Sequence, residues 1–262
     1  MKLFRANPEA GSAWVIGASK GLGAALACEL AAEGYRVIAS ARSTDLLEEL
    51  AAKAPRPGAI VPLAFDVTDS AASAAATQRV AAMGPLALAV LNAGTFLPMR
   101  AFRFDPGAFE QTFNLNFFGA INCLGPVIGI MNHAGFGHIA LVSSSAGYGG
   151  LPKSAAYGAS KAALINMAAS LKFDLDGMNI RIQVVTPGFV DTPLTRKNDF
   201  PMPFLMSAPD AARAMSRGLR SDAFDITFPR RFTYLMKAVN LLPYRLYFPL
   251  IRMLTGAGRK RN

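Results

Sequence analysis

Cysteine is nearly absent. Cys28 and Cys123 are the two in 262 residues, too few and too far apart for a disulfide framework or a zinc site. Both fall in helical patterns and read as small buried side chains, and a reducing cytoplasm fits. Histidine is equally scarce: His133 and His138 flank a helix–strand connection, where structural or solvent roles are expected, and no metal cluster is visible. The start, Met1-Lys2-Leu3-Phe4-Arg5, lacks the apolar core of a signal peptide, and no uncharged run is expected to reach membrane-spanning length. Acid is missing from one region altogether. After residue 229 come Arg230, Arg231, Lys237, Arg245, Arg252, Arg259, Lys260 and Arg261 with no Asp or Glu, so 8 of the formal +10 charge lies there. The preceding body is close to neutral, which removes the net charge as an argument for nucleic-acid binding.

What is present is apolar. A hydrophobic content of 52% supports a large core and argues against disorder. Apolar β-type runs occur at Ala13–Ile16, Tyr35–Ala39, Ala59–Phe65, Leu86–Leu91, His138–Val142 and Ile180–Val185. Helical patterns lie between them, near 22–33, 44–53, 69–82, 106–133 and 155–176. Short, nearly continuous apolar strands alternating with helices predict a parallel sheet covered on both faces. Right-handed crossovers then give an α/β, doubly wound, Rossmann-type domain over residues 1–229, followed by a basic, apolar, helical extension at 230–262. No internal repeat or low-complexity linker interrupts the pattern.

The first strand runs into Gly17-Ala18-Ser19-Lys20-Gly21-Leu22-Gly23, where a helix opens. Glycines there let the backbone turn sharply and approach a pyrophosphate, and the helix start offers unpaired N–H groups to phosphate. The spacing is GxxxGxG rather than GxGxxG. At the end of the second strand an NAD site would place a carboxylate for the ribose hydroxyls. Here Ala41 stands in that neighbourhood and Arg42 follows, with Lys20 as a second cation. Two cations and no acid suit a 2′-phosphate, so NADP(H) is the expected cofactor.

The fifth strand ends in Ser143-Ser144-Ser145, and Tyr157 and Lys161 follow four residues apart in a helical pattern. That spacing puts them on one helix face. A phenol beside a held ammonium is expected to have a lowered pKa and to work as an acid–base group.

In this order the chain resembles the short-chain dehydrogenase/reductase family from Ala13 to about Phe228. The marks are the glycine turn, Asp66-Val67, Asn92-Ala93-Gly94, Asn116 within Asn114-Leu115-Asn116-Phe117-Phe118-Gly119, the Ser144/Tyr157/Lys161 set, and Pro187-Gly188-Phe189-Val190-Asp191-Thr192. The resemblance implies cofactor contacts from Gly17, Ser19, Lys20, Gly21, Leu22, Gly23 and Arg42. Asp66 and Val67 would hold the adenine, Asn92, Ala93 and Gly94 the cofactor floor, and Pro187, Gly188, Val190 and Thr192 the nicotinamide amide. It implies Tyr157 as general acid, Lys161 on the nicotinamide ribose, Ser144 orienting the substrate oxygen, and Asn116 supporting a water relay. Ile16 and Leu91 depart from the family's usual Thr and Asn without removing a catalytic group. A homo-oligomer, dimer or tetramer, is implied too, with helices 106–133 and 155–176 pairing between subunits.

For substrate, Phe96, Leu97, Pro98, Tyr148, Leu151, Phe189 and the Asn198–Met206 segment offer an apolar lining that suits a hydrophobic ketone or aldehyde. Packing alone is the other reading of those side chains. The expected function is an NADPH-dependent carbonyl reductase. A 3-oxoacyl-thioester reductase and a non-catalytic NADPH-binding sensor or scaffold are the alternatives. In the extension, Pro243 and Pro249 are expected to break the chain into short helices. Its aromatic and basic mixture fits either peripheral contact with an anionic membrane or packing on this subunit or its partner.

Overall fold

Seven parallel strands make one sheet in the order β3-β2-β1-β4-β5-β6-β7. The computed structural model describes residues 3–197 and 201–256. The strands are β1 Ser12–Ile16, β2 Val37–Ser40, β3 Ile60–Pro62, β4 Leu86–Leu91, β5 Gly137–Val142, β6 Ile180–Pro187 and β7 Asp225–Phe228. The helices are α1 Gly21–Ala32, α2 Thr44–Ala52, α3 Ser70–Ala82, α4 Pro106–Phe113, α5 Gly119–Ala134, α6 Ala155–Gly177, α7 Ala208–Leu219, α8 Arg230–Asn240 and α9 Tyr244–Thr255. Every residue of β1, β4 and β5 is buried, which is why these strands read as unbroken apolar runs rather than alternations.

The sheet divides the core in two. On one face Val15, Leu26, Leu30, Val90 and Met215 pack together; on the other, Trp14, Leu91, Val127, Ile139 and Ile182 do. The Trp14 indole N–H, buried with the core, donates to Ser40 Oγ at 2.9 Å. Between β1 and β4 the chain switches winding direction, and Ile16 lies in register with Leu91. The carboxyl ends of these two strands therefore open side by side, the place where an open α/β sheet binds ligands.

Several elements differ from the sequence expectation. The third strand is three residues rather than seven. Strand β7 and helix α7 were not anticipated. β7 is a four-residue edge strand beginning with Asp225, too short to show a period. Helix α7 carries a legible start, since Ser207 accepts from the Asp210 N–H and a proline opens the first turn. The long helix expected at 106–133 forms, widened at Asn114–Phe118 by a π-turn. Contrary to expectation, the run Pro106–Ala134 is long and apolar enough to cross a membrane. In this fold it buries Cys123, Leu124, Val127 and Met131 against the sheet.

Pro243 separates α8 from α9, as its ring predicts, but Pro249 sits inside α9 without ending it. Helix α8 and helix α9 lie on the body rather than apart from it. Phe232, Met236, Val239, Tyr247 and Ile251 form a small third core with Tyr148, Leu151 and Phe189.

Candidate active site

The glycine turn is built by close backbone approach. Gly17 has φ +91°, and a Cβ there would come within 2.7 Å of the Ala93 Cα. At Gly23 a Cβ would overlap the Gly17 carbonyl oxygen and come within 2.6 Å of Asn92 Nδ2. That amide donates to the same carbonyl at 2.8 Å, tying the β4 end to the turn. Lys20 is the N-cap of α1 and makes no side-chain cap bond, so the first N–H groups of the helix are left to a ligand. Thr192 reaches this turn from the other side: a Cβ on Gly21 would lie 2.8 Å from its methyl group. The loop from Pro187 through Gly188 and Val190 to Thr192 thus closes onto the turn at Gly21. A cradle of this shape, with free helix-start donors, fits a dinucleotide pyrophosphate.

Arg42 lies exposed past the end of β2, its guanidinium 4.0 Å from the Asp66 carboxylate. The other Asp66 oxygen accepts from Thr68 N at 2.9 Å and Thr68 Oγ1 at 2.8 Å, which holds the Asp66–Val67 corner in one conformation. Val67 is buried. No carboxylate comes from β2 itself, since Ser40 and Ala41 occupy its end.

Two strands along, the β5 end and α6 bring Ser144, Tyr157 and Lys161 together. Ser143 donates to the Lys161 carbonyl at 2.8 Å and so turns away from the site, while Ser144 hydrogen-bonds the Tyr157 phenol. Lys161 is buried, and its Nζ donates to the Val142 carbonyl at 2.8 Å and stands 5.8 Å from the Tyr157 ring centroid. Burial brings the Lys161 ammonium down to about 8. The pKa of Tyr157 moves the opposite way from expectation. Burial pushes the phenol up, and the Ser144 hydrogen bond only partly opposes this, because desolvating a phenolate costs more than one hydroxyl returns. Phe96 packs edge-on against the ring, centroids 5.2 Å apart.

Asn116 sits inside the π-turn, fully buried. Its Oδ1 accepts from Thr95 N at 2.7 Å, and its Nδ2 donates to Thr95 O at 3.0 Å and Ser160 Oγ at 3.1 Å. A Cβ on Gly94 would lie 3.3 Å from Asn116 Oδ1 and 3.4 Å from Lys161 Nζ. Gly94, Asn116 and Lys161 therefore share one tight corner, which the local widening of the helix makes possible. All the catalytic and cofactor candidates lie along the carboxyl edge of the sheet.

Residues 12–201 match the short chain dehydrogenase family. This chain belongs to that family. It is an oxidoreductase acting on CH–OH and C=O groups. An uncharacterized oxidoreductase of Myxococcus xanthus (strain DK1622) is 38% identical over 249 residues, 93% of this chain and 97% of that one. The 3-oxoacyl-[acyl-carrier-protein] reductase MabA of Mycobacterium tuberculosis (strain ATCC 25618 / H37Rv) is 33% identical over 189 residues, 72% of each chain. Among solved structures, a short chain dehydrogenase from Burkholderia cenocepacia J2315 in complex with NADP superposes with TM-score 0.80 at 25% identity, over 95% of this chain and 99% of that one.

One network in this dehydrogenase escaped sequence reasoning. Tyr148 Oη donates to Asp225 Oδ2 at 2.7 Å and also meets Thr186 Oγ1, which donates to Asp225 Oδ1. Lys237 of α8 completes it, with Nζ 2.6 Å from Asp225 Oδ2 and 5.3 Å from the Tyr148 ring centroid. Burial pushes the Tyr148 phenol up, so it acts here as a donor. Tyr247 of α9 donates to the Gly150 carbonyl at 2.9 Å. The segment between Ser144 and Tyr157 is thus held by the two tail helices. Lys237→Met should lower unfolding free energy by about 1 kcal/mol, a partly exposed pair lying between surface and buried limits. An unchanged urea midpoint would show that α8 is held by packing alone.

Of the substrate loop expected at Asn198–Met206, Asn198, Asp199 and Phe200 lie outside the described residues. Met206 joins it to the site by accepting from Asp191 N at 2.8 Å. His138 is buried near the amino end of β5, with Nε2 2.7 Å from Gln183 Oε1, away from the carboxyl ends where this chemistry lies. Among the described residues no three His, Cys, Asp or Glu side chains form a metal-sized cluster.

Proposed function

We propose that this chain is an NADPH-dependent reductase of apolar ketones or aldehydes, running in reverse as an alcohol dehydrogenase. The observation that carries it is the Tyr157 phenol held by Ser144 beside a buried Lys161, two strands from a glycine cradle. Gly17, Ser19, Gly21, Leu22 and Gly23 would hold the pyrophosphate, and Asp66 and Val67 the adenine. Asn92, Ala93 and Gly94 would form the floor, with Pro187, Gly188, Val190 and Thr192 over the nicotinamide. When bound, the reduced nicotinamide supplies the hydride.

The protein's own groups supply position and a proton. Ser144 Oγ orients the substrate oxygen. Tyr157 Oη, kept protonated at neutral pH by burial, donates its proton to that oxygen as negative charge develops there. Lys161 stabilises the phenolate that results, and Asn116 holds the corner through which a water can return the proton. Arg42 and Lys20 favour a 2′-phosphate. Phe96, Leu151 and Phe189 favour an apolar substrate. Oligomer formation through α5 and α6 is supported by Phe118 and Ile121, exposed at the start of α5, and by Phe173 on α6, which is 85% exposed. With Cys28 and Cys123 free, the cytoplasm is the proposed compartment.

A 3-oxoacyl-thioester reductase is the second reading, favoured by the similarity to MabA. One assay separates these readings and tests the cofactor. Wild type and Arg42→Ala are compared for oxidation of NADPH and NADH against ketones, aldehydes and 3-oxoacyl thioesters of rising chain length. We expect turnover that rises with apolar length, and a loss in Arg42→Ala of about tenfold or more in NADPH affinity with little change for NADH. Equal losses for both cofactors would overturn the NADPH assignment. Activity confined to thioesters would select the second reading.

A further inference from the structure

Helices α8 and α9 have an inner and an outer surface, and only the inner one is accounted for. On α8, Phe232, Met236 and Val239 are buried, while Tyr234, Leu235 and, just past its end, Leu241 are exposed. On α9, Tyr247 and Ile251, four residues apart, are the buried pair. Tyr244, Leu246, Phe248, Met253 and Leu254 are all exposed, Tyr244 at 76% and Met253 at 73%. Tyr244 and Phe248 stack with centroids 5.5 Å apart, a flat aromatic pair on the outside. Phe204 and Leu205 of the substrate loop are also exposed, and the Phe204 ring lies 6.4 Å from that of Phe232. An apolar surface this concentrated needs a cover.

Charge decides which cover fits. Arg230, Arg231, Arg245 and Arg252 are exposed on these helices, and no acid occurs anywhere after Asp225. A second copy meeting tail to tail would oppose arginines to arginines, because a two-fold contact uses the same patch twice. An anionic bilayer offers hydrocarbon to the aromatics and leucines, and phosphate to the guanidinium groups. Helices of 11 and 12 residues separated at Pro243 are too short to cross a core of about 30 Å, so they would lie in its surface.

We propose that α8 and α9 seat the dehydrogenase on an anionic membrane surface. Because their inner side packs on Tyr148, Leu151 and Phe189, the seated enzyme holds its substrate side against the bilayer. Apolar carbonyl compounds dissolved in the membrane then reach the site without crossing water. The seat itself stands apart from the assignment of the reaction, since binding is read without turnover.

The test is co-sedimentation of the full chain with phosphatidylcholine vesicles and with phosphatidylcholine–phosphatidylglycerol vesicles, across a salt series. The variants are Arg245→Glu/Arg252→Glu and Leu246→Ser/Phe248→Ser, which alter exposed side chains only. We expect binding to the anionic vesicles alone, weakened by salt. The charge reversal should reduce it by on the order of 100-fold, and the apolar pair should weaken it while melting stays unchanged. Failure of the wild-type chain to sediment with anionic vesicles at low salt overturns the proposal. So does binding that both variants retain. If instead Leu246→Ser/Phe248→Ser lowers the assembly's mass in solution and vesicles are ignored, the surface is a subunit contact.

Discussion

Tyr157→Phe should lower kcat/KM for carbonyl reduction by about three orders of magnitude, on the order of 4 kcal/mol of transition-state stabilisation. The ring stays, and with it the edge-on contact to Phe96 and the packing of α6. Only the oxygen is lost, and with it the one proton placed beside Ser144. Ser144 keeps a backbone partner, since its Oγ accepts from Ala146 N at 3.1 Å, so the strand end need not rearrange. NADPH affinity should change little, which separates loss of chemistry from loss of the site. The wild-type rate should hold near neutrality and fall as pH rises through about 8, where the Lys161 ammonium loses its proton. The direction follows because the uncharged amine no longer stabilises the phenolate left after proton donation. Turnover in Tyr157→Phe within a few fold of wild type would show that the proton comes from another group.

Gly23→Ala tests the cradle. Its Cβ would collide with the Gly17 carbonyl oxygen and the Asn92 amide; the first is backbone, and the second is tied to that same carbonyl by its hydrogen bond. Helix α1 must move off β1, a strain of about 1–3 kcal/mol in a packed core. The same movement misaims the first N–H groups of the helix, so NADPH affinity should fall by about tenfold or more. Gly177→Ala is the control, because a Cβ there meets nothing within 4 Å; it should leave NADPH affinity unchanged and should not lower the melting temperature. Calorimetric titration of NADPH together with thermal melts distinguishes the outcomes. Wild-type affinity in Gly23→Ala would mean that the turn relaxes without disturbing the ligand side.

The readings that held against the structure rest on local signals. Gly17–Gly23 after an apolar run specifies a strand, a tight turn and a helix start, because φ and the missing side chain act on the spot. Tyr157 and Lys161 share a face because a helix repeats every 3.6 residues. Strand β7 gave too short a pattern to read. The π-turn at Asn114–Phe118 was not legible either, since Asn116 docks there between Thr95 and Ser160, both distant in the chain. The direction of the Tyr157 pKa differs from expectation for a related reason. Its spacing from Lys161 is visible in the residue order, but the burial that outweighs the Ser144 hydrogen bond is made by the whole fold.

Residue order alone determined the alternation of strands and helices, the glycine turn after β1, the arginine in place of an acid after β2 and the concentration of cations in the last 33 residues. Tertiary structure decided what those last residues touch. Tyr148 and Asp225 are 77 positions apart, and Tyr247 and Gly150 are 97 apart, so no local pattern could pair them. The same packing sorted the tail's apolar residues into an inner set that closes the active-site segment and an outer set that faces away from it. Apolar character is a property of each residue, but which side it faces depends on the surface the chain finds when it folds back.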